Sequence, residues 1–218
     1  RRSDMSILNE KQVSELYDKN ARYYDLLLIL FQALGVRRRR SVLVNNLCLK
    51  QGDTVVDLCC GTGANFSLLA KAVGSKGRIV GVDLSEKMLE KARYKAERLG
   101  IRNVQLVCNS VNDFELPIET DAVISTFGME MVPTYTSVIA RIASELNPGC
   151  HVGFLGLKHP EGWPDWLIEL GILLNRPFGV SREYEDFRPW EAVQEYLSVN
   201  YFKEHLFGSA YSCVAKKT

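Results

Sequence analysis

The side chains that could do chemistry gather around one short span. Asp57 stands inside the apolar run Val55-Val56-Asp57-Leu58, and Cys59-Cys60-Gly61-Thr62-Gly63 follows directly. Asp83 lies near the end of a second apolar run, Arg78 to Leu84, twenty residues beyond Gly63. An acid inside a buried strand costs free energy unless it serves a loop or a ligand. Glycines allow a sharp turn and let a ligand approach too closely for a Cβ. An aspartate closing the next strand suits a diol, because a carboxylate accepts both hydroxyls in charge-assisted hydrogen bonds. A dinucleotide fingerprint would need glycine three positions after Gly63, where Phe66 stands, and no Gly-Lys-Ser/Thr tripeptide supplies a P-loop.

The paired cysteines invite a redox or metal reading that the spacing opposes. The six cysteines (Cys48, Cys59, Cys60, Cys108, Cys150, Cys213) form no C-x-x-C pair, and His151, His159 and His205 show no ligand spacing near them. No metal is expected. Adjacent cysteines in extended chain point to opposite sides, so a vicinal disulfide is disfavoured. All six are expected to be reduced thiols of a cytoplasmic protein, with Cys59 and Cys60 as small residues in a tight turn. The charged, polar start carries no secretory signal pattern.

The elements that must hold these residues follow from the alternation of patterns. Strands are expected over 54–59, 78–84, 104–109, 121–127 and 151–157, and helices over 41–49, Asn65 to Val73, 85–100 and 135–149. Ser85 is the expected N-cap of the third of these helices, and Gly100 its terminator. Strands alternating with helices imply right-handed βαβ units. The expected fold class is therefore α/β: a doubly wound, mostly parallel seven-stranded sheet, Rossmann-like, with a C-terminal antiparallel hairpin around Gly208. One domain is expected, with a helical cap or lid over 1–40, a cofactor-binding core over 41–157, an acceptor-covering insertion over 158–200 and final strands over 201–218. In such sheets the first strand-to-helix turn holds the ligand. Here it has no phosphate grip but an acid at its root and a diol acid on the next strand. That combination suits a nucleoside carrying positive charge, and S-adenosylmethionine, with an ammonium and a sulfonium, is one.

Composition narrows the partners. The 218 residues are 46% hydrophobic and 24% charged with a formal net charge of +1, so no whole-molecule field points to nucleic acid. No basic stripe with interleaved aromatics runs along the chain either. Residues 1–40 carry nine Lys/Arg against five Asp/Glu, including the run Arg37 to Arg40. The apolar run Leu26 to Val36 is too short to span a bilayer, which takes about 20 residues. Followed by four arginines, it suggests instead a peripheral membrane contact through residues 26–40 at the inner membrane face.

At this point the chain resembles a known family. "VVDLCCGTGANF", "GVDLSEKMLEKAR" and "DAVISTFGMEMVP" resemble the class I S-adenosylmethionine-dependent methyltransferases over roughly residues 40–157. The opening "YDKNARYYD" is similar to that of the ubiquinone/menaquinone methyltransferases and the bacterial phospholipid N-methyltransferases. The resemblance implies that Gly61, Thr62 and Gly63 admit the methionine moiety and that Asp57 supports the loop and the ammonium. It implies that Asp83 holds the ribose, with Leu84 and Met88 near the adenine and Thr126 and Phe127 at the methionine end. Where the family usually has an acid and a small residue, Asn109-Ser110-Val111 stand here. Tyr24 and Tyr17 match the two tyrosines of the opening; Tyr24 closes over the cofactor and joins the catalytic candidates, and Tyr17 joins the acceptor side.

The acceptor is expected to be lipid-like or a small molecule. Displacement from a sulfonium needs no acid for the leaving group, so alignment in a water-poor pocket can supply most of the catalysis. An amine must be presented neutral, whereas a carbon or oxygen nucleophile needs a base, and no obvious base stands in the sequence. A phospholipid amine headgroup therefore ranks first, a quinone-precursor ring second and a soluble amine or thioether third. A cofactor-binding regulatory or scaffold protein is the non-enzymatic alternative. Candidate bases are His159, directly after the fifth strand, Glu130 and Tyr24. Arg182, Tyr184, Arg188 and Trp190 in the aromatic-rich segment 159–193, together with Glu130, are the acceptor-binding candidates.

Overall fold

The computed structural model describes residues 11–13, 15–16, 35–175, 180–182 and 185–218. The expectations placed on Tyr17, Tyr24 and Tyr184, and on residues 26–34, lie outside the described residues.

Seven strands form one sheet in the order β3-β2-β1-β4-β5-β7-β6. They are β1 (Thr54–Leu58), β2 (Arg78–Asp83), β3 (Val104–Cys108), β4 (Thr120–Thr126), β5 (His151–Leu157), β6 (Ser198–His205) and β7 (Ala210–Lys216). The first five pair in parallel, and β7 runs antiparallel between β5 and β6. Every residue of β1 is buried, as a central parallel strand covered on both faces requires. Alternate residues feed two cores. Val55, Ile79 and Ile124 meet α1 (Val36–Asn46), α2 (Phe66–Val73) and α3 (Glu86–Arg98) through Leu43, Phe66, Leu69 and Leu89. Val56, Val80, Val123 and Val152 meet α4 (Tyr135–Glu145) and α6 (Pro189–Tyr196) through Val138, Ile142 and Val193.

The strand order reverses beside β1, so the ends of β1, β2 and β4 open a crevice at a topological switch point. The helix that follows β2 starts as its sequence predicts: the Ser85 hydroxyl accepts from the Met88 amide at 3.1 Å, and Glu86 lies in the first turn.

Two expectations are corrected. The helix expected over 41–49 runs from Val36 to Asn46, so the four arginines belong to its first turns. Helical spacing puts Arg40 on the inward face with Val36, Leu43, Val44 and Leu47, and it is buried; Arg37 and Arg38 are exposed and Arg39 is half-buried. The run is therefore not one basic headgroup-facing cluster. The segment expected as an acceptor cover is also divided. It carries α5 (Asp165–Asn175) beside the strand ends, whereas α6 packs back against α4. Among the described residues no helix is long and apolar enough to cross a membrane.

Candidate functional site

The glycine loop is drawn tight at the end of β1. Cys59, Gly61 and Gly63 have φ of 53°, 53° and 71°, in the left-handed region that glycine tolerates and cysteine pays strain to enter. The Cys60 amide donates to the Val82 carbonyl at 2.9 Å, and the Gly63 amide to the Cys60 carbonyl at 3.0 Å. A Cβ on Gly63 would lie 2.5 Å from two atoms of the Phe66 ring, and one on Gly81 3.0 Å from the ring's tip. The buried Phe66 ring thus fills the space beneath the loop, between two glycines.

Asp83 joins the two loops. One carboxylate oxygen accepts from the Gly61 amide at 2.8 Å, the other from the Ser85 amide at 2.9 Å. Each oxygen has further acceptor capacity for a ligand hydroxyl. The fully buried Asp57 accepts from the Asn65 amide at 3.0 and 3.2 Å, and the same Asn65 nitrogen lies 3.1 Å from the Thr126 hydroxyl. Asn65 thereby ties the end of β1 to the end of β4. Burial pushes the Asp57 carboxyl up to about 7, against the lowering effects of the Asn65 hydrogen bond and the Arg40 charge. Burial likewise pushes the Cys59 and Cys60 thiols well up, which keeps both protonated and removes them as nucleophiles.

The other residues expected near a cofactor are spread around this crevice. Thr62 is buried, its hydroxyl 3.3 Å from the Lys95 ammonium. Leu84 is half-buried and Met88 fully buried in the first turn of α3. The Asn109 side-chain oxygen accepts from the Ser110 amide at 2.8 Å, and the Ser110 hydroxyl accepts from the Asn112 amide at 3.0 Å. Both therefore brace their own loop, while Val111 packs into the core. Phe127 has φ 58°, its ring lies 5.6 Å below the Arg40 guanidinium, and its amide donates to Leu155 at 2.7 Å.

A cavity of about 270 Å³ adjoins the ends of β4 and β5. Its walls include Leu157, Trp163, Leu167, Ile168, Ile172 and Phe187. Glu130, only 7% exposed, lines it from the turn after β4 and accepts from the Leu157 amide at 3.1 Å. Burial pushes this carboxyl from 4.5 up to about 7. Its second oxygen sits where only glycine fits at position 156: a Cβ there would come within 2.8 Å of it. His159 also lines the cavity, with Nδ1 3.6 Å from Glu185. Arg182 lines it too, but its Nε donates to Glu169 at 2.6 Å.

Two acceptor-side expectations are corrected. Trp190 is 7% exposed and belongs to the core, its ring edge-on to Tyr211 at 4.7 Å; α6 turns it inward. Arg188 is outside the cavity lining: it stands at the start of that helix, where its amide donates to the Tyr135 hydroxyl at 3.2 Å and its guanidinium lies 3.8 Å from Glu191. Residues that the sequence reading passed over are Asn65, Arg40 and Glu185. Asn65 was visible as the helix N-cap position eight residues after a buried acid, and Arg40 through its spacing with Leu43 and Leu47. Nothing local marks Glu185.

The donor set can be weighed against a ligand. One partly exposed carboxylate, Asp83, and a second buried beneath the loop, Asp57, which is short of full ionisation near neutral pH, flank a loop that shows no phosphate-binding glycine spacing. These residues fit a cationic nucleoside. Among the described residues no group of three or more His, Cys, Asp or Glu could hold a metal.

The sheet order, the antiparallel β7 and the loop with its acid define the class I S-adenosylmethionine-dependent methyltransferase fold. Solved structures agree with it. A SAM-dependent methyltransferase from Aquifex aeolicus superposes with a TM-score of 0.61 at 21% identity, covering 97% of this chain and 100% of that one. Geranyl diphosphate C-methyltransferase from Streptomyces coelicolor A3(2) gives a TM-score of 0.66 at 16% identity, covering 84% and 79%. Residues 5–164 match the ubiE/COQ5 methyltransferase family, and the chain belongs to that family. A demethylmenaquinone methyltransferase from Bacillus cereus (strain ATCC 10987 / NRS 248) is 33% identical over 156 residues, which is 69% of this chain. The chain spans 64% of the length of that relative.

Proposed function

We propose that the chain moves a methyl group from S-adenosylmethionine to a ring carbon of a hydroxylated aromatic acceptor of the quinone-precursor class. The observation that carries this reading is Glu130, one buried carboxylate held near neutral pKa in an otherwise largely apolar cavity beside the loop. The relatives named for demethylmenaquinone support the same acceptor class. A phospholipid amine, which ranked first on sequence, draws no such support.

When bound, S-adenosylmethionine supplies an electrophilic methyl group on a sulfonium whose thioether leaves without protonation. Asp83 accepts the ribose hydroxyls while holding the two loops together. Asp57, through Asn65, fixes the turn and provides negative charge for the ammonium. The loop backbone at Gly61 and Gly63, the buried Thr126 and the half-buried Phe127 would enclose the methionine end. On the acceptor, Glu130 takes the proton of a ring hydroxyl, which drives electron density to the adjacent ring carbon. Methyl transfer to that carbon would release a neutral thioether; Glu130 would then return its proton to the ring oxygen and take the ring C–H proton, whose removal restores aromaticity and which leaves to solvent with the product. The apolar walls keep water out and the ring aligned.

Labelled cofactor incubated with a reduced naphthoquinone precursor and, separately, with phosphatidylethanolamine vesicles tests the reading. Label on a ring carbon is the expected result. Label on the headgroup amine overturns the acceptor class, and bound cofactor with no label on either substrate favours the non-catalytic alternative.

A further inference from the structure

We propose that the outer face of α5, together with Phe207, docks on the surface of a zwitterionic bilayer, with the acceptor cavity on the helix's inner side. The proposal rests on the reading of the acceptor as a quinone precursor, and on that precursor being a lipid-soluble one. Helix α5, with the sequence DWLIELGILLN, carries two apolar stripes where a surface helix normally carries one. Leu167, Ile168, Gly171 and Ile172 line the cavity. Trp166, Leu170, Leu173 and Leu174, spaced i, i+4, i+7 and i+8, lie on the outside at 68%, 43%, 61% and 63% exposure. The helix therefore stands between the cavity and whatever its outer stripe faces. At eleven residues it is too short to cross a bilayer and long enough to lie in its surface.

A neighbouring turn extends the same apolar surface. Leu206 and Phe207 have φ of 51° and 54°, a backbone conformation that ordinary residues enter only under strain. The Trp163 indole donates to the Phe207 carbonyl at 3.0 Å, which anchors that turn to the loop preceding α5. Leu206 lines the cavity while Phe207 is 92% exposed. A strained, pinned turn thus holds an aromatic ring in solvent beside the cavity.

Charge selects the occupant. Glu169, the acid in the middle of α5, is neutralised by Arg182 at 2.6 Å, and Asp165 lies in the first turn, where the helix dipole favours it. No lysine or arginine lies within the helix. A face with paired charge, leucines and an exposed tryptophan matches the headgroup boundary of a neutral membrane, where tryptophan concentrates. It offers nothing to a polyanion. The contact expected of the arginine run passes to this helix.

Vesicle flotation with phosphatidylcholine, alone and with added anionic lipid, tests the proposal. The full chain is expected to float with both to a similar extent. Leu173→Asp combined with Leu174→Asp is expected to lower the bound fraction at least tenfold, because neither residue lines the cavity or a core. The same variant is expected to keep its turnover of a short-chain, water-soluble acceptor within twofold. Phe207→Ser, on a separate element, is expected to weaken flotation independently. Absence of flotation, flotation only with anionic lipid, or equal flotation of wild type and variants overturns the docking face. Self-association of wild type that the double variant abolishes, without vesicle binding, also overturns it and assigns the face to a second copy. Vesicle binding without ring methylation sinks the acceptor reading instead, and ring methylation without vesicle binding sinks the docking alone.

Discussion

Glu130→Gln should reduce activity and raise stability at the same time, both in a pH-dependent way. The carboxyl is buried, accepts the Leu157 amide through one oxygen, and is pushed from 4.5 up to about 7. With that value the base is about nine-tenths ionised at pH 8 and about one-tenth at pH 6. The wild-type kcat should therefore fall roughly tenfold per pH unit below about 7. Glutamine keeps the acceptor for Leu157 and removes the base, so kcat at pH 8 should drop by about 10²–10⁴ and the limb near 7 should vanish. The stability effect has the opposite sign. Because the folded value lies above the unfolded one, Glu130 favours folding fully below about pH 4.5, and this is lost as pH rises through about 7. At about 1.4 kcal/mol per unit, the ionised side chain costs on the order of 3 kcal/mol at pH 8. Even with part of this offset by the new amide donor, Tm of the glutamine variant at pH 8 should rise by about 5 °C, with little change at pH 4.5. Steady-state kinetics from pH 5.5 to 9 on a reduced naphthoquinone and thermal melts at the two pH values read both effects. An unchanged acid limb in the variant, or a lower Tm at pH 8, refutes the reasoning.

Other substitutions separate loop, core and cofactor roles. Asp83→Ala leaves the Gly61 and Ser85 amides without their carboxylate; calorimetric titration should show cofactor affinity reduced at least tenfold, and melts a loss of about 3 kcal/mol. Gly63→Ala should destabilise by more than the ~1–2 kcal/mol of left-handed backbone strain, because its Cβ meets the Phe66 ring at 2.5 Å; denaturant titration gives the value. Trp190→Ala should cost about 3–5 kcal/mol while leaving the acceptor KM of the folded fraction within twofold, measured well below its melting point. A selective rise in KM with unaltered stability would return Trp190 to the acceptor site.

What could be read in the sequence was local in origin. Asp57, Gly61, Gly63 and Asp83 sit within two strand-turn-helix units, so spacing alone brings them to one crevice. Ser85 announces its helix because a cap acts over three residues. The failures come from one misread local helix start and from partners distant along the chain. The start of α1 is set by Gly35 with φ 73°, and misplacing it by five residues turned Arg40 from a buried partner of Phe127 into a surface charge. Trp190 and the cavity tryptophan, Trp163, are alike in type; only the packing of α6 on α4 tells the core ring from the lining one. Glu130 has its carboxyl raised by burial, and its neighbours in that burial include Gly156, more than twenty residues away, while the Leu157 amide lowers it only in part, so nothing beside it in the chain foretells its state.

Phe66 limits how this loop can change its ligand. By spacing alone, a single replacement, glycine for Phe66, gives the turn the dinucleotide glycine pattern. Yet the ring is the floor on which Gly63 and Gly81 rest, and removing it would open a void as large as the side chain. Refilling that void would mean adding volume at Gly63 or Gly81, and side chains there would reshape the turn itself. The route from this cofactor to a dinucleotide therefore passes through variants that hold neither, and the choice of ligand is guarded from underneath the loop, out of the ligand's reach.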